Sequence, residues 1–73
     1  MAMTARTHKR VFFDREYDFP DAGAWVHVKT NKAYIVLFPV MIEATVSPGV
    51  AYAGRDGLIW IRPLSEFLDG RFV

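Results

Sequence analysis

Two short stretches of this chain gather side chains that could recognise a small molecule. In Trp60-Ile61-Arg62-Pro63 an indole and a guanidinium stand two residues apart. On a strand that spacing puts both on one face, where the ring can stack and the fork can hold an anionic group. In Trp25-Val26-His27-Val28-Lys29 the same period lines up an aromatic, a titratable and a cationic side chain. Tyr34 follows on the next apolar segment. Trp25, His27, Lys29, Tyr34, Trp60 and Arg62 are therefore the candidate ligand-binding residues. Each has a plainer reading: Trp60 as a core residue with Arg62 paired to an acid such as Glu66, and Trp25 to Lys29 as an amphipathic strand with a solvated lysine.

Chemistry of other kinds finds little support. Ser47 and Ser65 lie in turn-like contexts without a nucleophile elbow, and there is no Cys. His27 has no evident nucleophile to activate and cannot hold a metal alone. The acidic run Asp14, Glu16, Asp18 fails the calcium-loop pattern, because Phe19 stands at loop position six and Trp25 at twelve. Gly54 and Gly57 flank a hairpin rather than open a helix, so no phosphate loop is expected. The reading is a non-enzymatic protein without cofactor or metal. A carboxylate pair such as Glu43 and Glu66 meeting in space stays open.

The elements that would position these residues read as strands. Val11 to Phe19 alternates, with Val11, Phe13, Tyr17 and Phe19 on one side and Phe12, Asp14, Glu16 and Asp18 on the other, which predicts one half-buried strand. Pro20 to Gly23 is a turn signal, and Trp25 to Lys29 alternates again. Thr30-Asn31-Lys32 predicts a tight connection, with Asn31 able to take the left-handed conformation. Ala33 to Phe38 reads as a central strand. Pro39 predicts a bulge or bend before the strand resumes over Val40 to Val46. Ser47-Pro48-Gly49 is read as a turn, Val50 to Ala53 and Leu58 to Arg62 as strands joined by a hairpin at residues 54–57. Pro63 opens a single helical turn through Leu68. Arg71 to Val73 could add a last short strand.

Five or six short strands with one short helical turn near the C-terminus indicate an all-β fold, with a small, strongly bent SH3-like barrel as the expected form. Seventy-three residues allow one domain, expected over 11–73 behind a mobile basic arm at 1–10. Small scaffolds lacking disulfide or metal support lean on a dense core or a partner subunit. The eleven aromatics (six Phe, three Tyr, two Trp) exceed what one small core easily encloses, so a homo-oligomer is expected.

Nine Lys/Arg against eight Asp/Glu give a net charge of +1, too little to expect duplex nucleic acid as a partner. From residue 22 onward five bases face four acids. The longest apolar run, Ala33 to Ile42, is too short to cross a bilayer and contains Pro39. No signal-peptide pattern follows the basic start, so the cytoplasm is the expected address.

Over Gly57 to Phe72 the chain resembles the DUF1653 family, short bacterial and phage proteins with a W-x-R-P-L-x-x-F signature, here Trp60, Arg62, Pro63, Leu64 and Phe67. His27-Val28-Lys29-Thr30 with Tyr34 and Val36, and Val50-Ala51-Tyr52, are similar to further family segments. The family's usual Arg after the latter strand is replaced by Ala53-Gly54, and residues 1–23 have no counterpart. The resemblance implies a small β-fold of bacterial or phage origin and carries no activity with it. The functional expectation is an oligomeric module holding a small anionic ligand, a nucleotide first, between subunits. A phage-borne gene of this kind would suit sequestering a host immune signalling nucleotide. A protein–protein adaptor docking on a host or phage protein, and a single-stranded nucleic-acid binder, are the alternatives.

Overall fold

The computed structural model describes residues 6–73. The chain is all-β. β1 (Thr7–Phe12) and β2 (Arg15–Pro20) form an antiparallel hairpin. β3 (Gly23–His27), β4 (Lys32–Ile42), β5 (Ser47–Ala53) and β6 (Ile59–Pro63) form an antiparallel meander in that order, and α1 (Leu64–Phe67) adds one helical turn. Among the described residues no strand pairing closes the meander into the expected barrel. Its far edge is instead met by the C-terminal tail, through an isolated bridge between His27 and Phe72 and paired backbone hydrogen bonds of Val26 with Val73. The short last strand expected at 71–73 is thus this bridge.

Three local readings are corrected. Residues 7–10 belong to β1, not to a mobile arm; Lys9 pairs with Asp18 at 2.7 Å and His8 meets Asp21 at 2.7 Å. Residues 1–5 of that arm lie outside the described residues. The single strand read over Val11 to Phe19 is a hairpin, because Phe13 and Asp14 both take positive φ (51° and 64°) in a two-residue turn. That is the backbone of the mirror-image turn whose twist suits paired strands. The turn expected at Ser47 to Gly49 lies at 43–46, where Val46 has φ 48°, and Ser47 already begins β5.

The two prolines inside β4 and β5 fall where the sheet tolerates them. Pro39 lies beyond Val36, the partner of β3's first residue Gly23, and Pro48 lies beyond Gly49, the partner of β6's last residue Pro63. Each therefore sits on a stretch with a strand partner on one side only, so the missing N–H breaks no central ladder. The expected bulge occurs two residues before Pro39, between Val36 and Phe38.

Register then sorts the meander's side chains into two faces. The inner face carries Trp25, Tyr34, Val36, Tyr52, Val50, Trp60 and Arg62. There Trp25, Val36, Val50 and Tyr52 form the core with Phe19 from the hairpin, Leu64 and Phe67 from α1, and Phe72 from the tail. The outer face runs in rows Ala24–Ile35–Ala53–Ile59 and Phe38–Ala51–Ile61. The molecule is a slab 17 Å thick, with one layer packed on the inner face.

Candidate functional site

The six candidate residues all belong to the inner-face end of the molecule, but they do not form one site. Trp25 is in the core. It is 6% exposed, against 49% for Trp60. Its ring meets Phe67 edge-on at 5.4 Å, its Nε1 donates to the Asp21 carbonyl at 2.9 Å, and the Arg6 guanidinium lies 4.0 Å over it. Arg6 also donates to the Ala24 carbonyl, tying the hairpin to β3. A ring with one face on Phe67's edge and a guanidinium above it has no free surface for a ligand, so Trp25 leaves the candidate set.

The other five divide between two grooves. The first, of about 690 Å³, is lined by His27, Lys29 and Arg62 together with Asp69, Gly70 and Arg71. β3 ends at His27, so Lys29 reaches the groove from the turn after the strand rather than from the strand face. Arg62 is held from several sides. Its Nε donates to Tyr52 Oη at 3.3 Å, its Cζ stands 5.4 Å from the Phe72 ring centre, and Nη1 lies 3.9 Å from Glu66. The anticipated Arg62–Glu66 pair is therefore a long one. Glu66 sits closer to Arg71, at 3.2 Å, and Arg71 also meets Asp69 at 3.1 Å. Two carboxylates thus already occupy the guanidinium of Arg71, and His27 lies against the buried ring of Phe72 at 4.9 Å.

The second groove, of about 720 Å³, is lined by Tyr34 and Trp60 with Asn31, Lys32, Gly54, Arg55 and Asp56. In a meander alternate turns share one end of the sheet, so Lys32, first residue of β4 after the β3–β4 turn, and Arg55 of the β5–β6 turn meet there. Tyr34 is fixed by edge contacts with Tyr52 at 5.4 Å and Phe72 at 6.0 Å. Its ring also lies close over Gly54, where a Cβ would come within 3.2 Å of Tyr34 Cε1. Glycine keeps that approach open. Asp56 is engaged as an acceptor for the Leu58 N–H at 3.0 Å. Among the described residues neither Lys32 nor Arg55 forms an ion pair.

Sequence reasoning missed Arg71 and Asp69 in the first groove, and Lys32 and Arg55 in the second. The signal was in the charge count. All five bases from residue 22 onward (Lys29, Lys32, Arg55, Arg62, Arg71) line one groove or the other, while Glu43 of the four acids sits in the turn at the opposite end of the sheet. The motif Trp60 to Phe67 also resolves into parts. Trp60 and Arg62 face the grooves, Pro63 precedes α1, and Leu64 and Phe67 are buried core residues. Among the described residues no group of three His, Asp or Glu side chains could hold a metal ion, and no helix is long and apolar enough to cross a membrane.

Comparison with known proteins returns no match among family models, curated proteins or solved structures. The resemblance carried by Trp60, Arg62, Pro63, Leu64 and Phe67, with the segments at His27 to Val36 and Val50 to Tyr52, accordingly rests on the sequence alone, and the functional reading rests on the two grooves.

Proposed function

We propose that this chain is a non-enzymatic binding module that takes a small planar anion, a nucleotide first, in the groove of Trp60, Tyr34, Lys32 and Arg55. The observation that carries this reading is a half-exposed indole beside two cations that, among the described residues, form no ion pair. An indole left open to water forgoes burial that the other tryptophan of the chain obtains, and it presents a face on which any base can stack. Lys32 and Arg55 would meet the phosphate, and Asn31 and Asp56 offer polar groups at the rim. The groove volume falls within the range of small-ligand sites, about 300–1,000 Å³. One chain supplies the ring and both cations, so the ligand need not be shared between subunits. Sequestration of a signalling nucleotide suits such a groove, since it needs affinity and no catalytic group.

Calorimetric titration of nucleoside mono- and diphosphates and cyclic nucleotides tests the reading. Stacking on one aromatic side chain is worth about 1–3 kcal/mol, so Trp60→Ala should weaken binding about 5- to 150-fold. Arg55→Ala should weaken it and flatten its salt dependence. Absence of heat with every member of the panel overturns the proposal, and so does undiminished affinity in Trp60→Ala.

A further inference from the structure

Among the described residues no layer covers the outer face of the meander, and its strand positions carry no charge. An antiparallel sheet with one wet face normally alternates apolar and polar residues along each strand. Here the outer set is apolar although the core is packed on the inner face. On the outer face β4 contributes Ile35 and Phe38, β6 contributes Ile59 and Ile61, and the floor between them is Ala51 and Ala53. Ile35, Phe38, Ile59 and Ile61 remain 48%, 52%, 61% and 58% exposed. The register puts Phe38 and Ile61 on either side of Ala51, which is itself only 1% exposed. The result is a closed apolar surface on one side of a slab 17 Å thick.

We infer that this face packs against the same face of a second copy of the chain, sheet on sheet about a two-fold axis. Two features of the surface select that occupant. The first is area. The four large side chains leave on the order of 450 Å² open, and the exposed Ala24 and Ala33 of the same face bring it to roughly 550 Å². Two faces together then remove about 1,100 Å² from water, above the roughly 1,000 Å² that a specific interface must clear. A single exposed patch of that size lies at the upper limit for a protein that stays alone. The second is charge. Every outer-face position of the four strands is uncharged, so nothing there selects a charged partner. An isologous contact sets the face against itself without like-charge repulsion. Stacked sheets of this kind share a core about 10 Å deep, which would give the meander a second apolar layer opposite the hairpin and α1. The ring residues of the proposed ligand groove, Trp60 and Tyr34, stand on the inner face, away from this contact.

Light scattering and sedimentation of the full chain at 5–100 µM, a range chosen as roughly that over which modest interfaces assemble, test the inference. The expected result is a dimer. Ile61→Lys, which places a charge in the shared layer, should raise the dissociation constant about 30-fold or more. Its near-UV circular dichroism should be unchanged, since Trp25 and Phe67 lie on the other face. Should Ile61→Lys lose that signal, Phe38→Ser serves as the second variant and should weaken the dimer in the same sense. Trp60→Ala, on the opposite side of the sheet, should dimerise like the parent chain, so loss of ligand binding and loss of the dimer are read separately. A parent chain that is monomeric at 100 µM overturns the inference. A dimer equally stable in folded Ile61→Lys and Phe38→Ser overturns it too, as does a monomer that co-sediments with neutral lipid vesicles.

Discussion

Phe72 bears more of this fold than any other side chain near an exposed end, and its removal should nearly unfold the protein. Its ring lies parallel to Phe67 at 4.1 Å and 6°, and meets His27, Tyr34 and Tyr52 edge-on at 4.9, 6.0 and 5.5 Å. Arg62 stands over it at 5.4 Å. Truncating a buried Phe to Ala costs about 3–5 kcal/mol from lost transfer energy and the cavity left behind. A domain of this length carries a total of about 4–11 kcal/mol. Phe72→Ala should therefore remove about a quarter of the stability or more and lower the melting temperature by about 12–40 °C, at about 4–8 °C per kcal/mol. Phe72→Leu refills most of the space and should cost about 1–2 kcal/mol. Urea titration followed by circular dichroism measures both. A Phe72→Ala midpoint within about 1 kcal/mol of the parent would refute the packing argument, because no cavity of that size is compensated by surface relaxation. The same substitution removes the ring that His27 and Arg62 pack against.

Two further predictions concern the hairpin. Phe13 sits exposed with φ 51°, a conformation that costs most L-residues about 1–2 kcal/mol and that Asn adopts far more readily. Phe13→Asn should raise stability by about 0.5–1 kcal/mol by thermal melting, and a lower melting temperature would contradict the turn assignment. The hydrogen bond from Lys9 to Asp18, then the charge of Asp18 and to a lesser degree that of Glu16, hold the Lys9 ammonium above its ordinary value of 10.5. A raised folded value means that the pair's contribution is complete below pH 10.5 and fades as pH climbs through the folded value. The group is exposed, so the effect on stability is slight and the titration itself is the readout. In Asp18→Asn, NMR titration should show Lys9 returning toward 10.5; an unmoved value would refute the pairing.

Much of the architecture was legible from period and punctuation. The strands at Trp25, at Ala33 to Phe38, at Val50 to Ala53 and before Pro63 stand where alternation and turn residues place them, and Asn31 takes its left-handed conformation (φ 57°). The turns at Phe13-Asp14 and at Val46 escaped because neither offers Gly or Asn at a positive-φ position. There tertiary packing overrides local preference, and the alternation resumes past the turn with only Arg15 interrupting it. The candidate site was half legible for a different reason. Trp25 and Trp60 share a face and a spacing pattern, and period cannot separate them. What separates them is that Arg6, Asp21 and Phe67 enclose β3 while β6 stands at the free edge of the meander. Which strand is an edge is a fact of topology. The absence of charge on the outer face was likewise hidden. The run Val26, Val28, Ala33, Ile35 reads as one buried set until the register shows the core packed on the other side.

The pairing of Val26 with Val73 also sets the order in which this protein can be built. Those hydrogen bonds join positions 26 and 73, 47 residues apart, and each of the three turn-linked strand pairs of the meander is local by comparison. A ribosome can release the β1–β2 and β3–β4 hairpins early, but Phe67 stays without its stacked partner until Phe72 is clear of the exit tunnel. The nascent chain is therefore committed late and in one step, as a loop of that length closes. Until then its aromatic face stands open alongside an apolar outer face, and this is the interval in which a crowded cell would find it most adhesive.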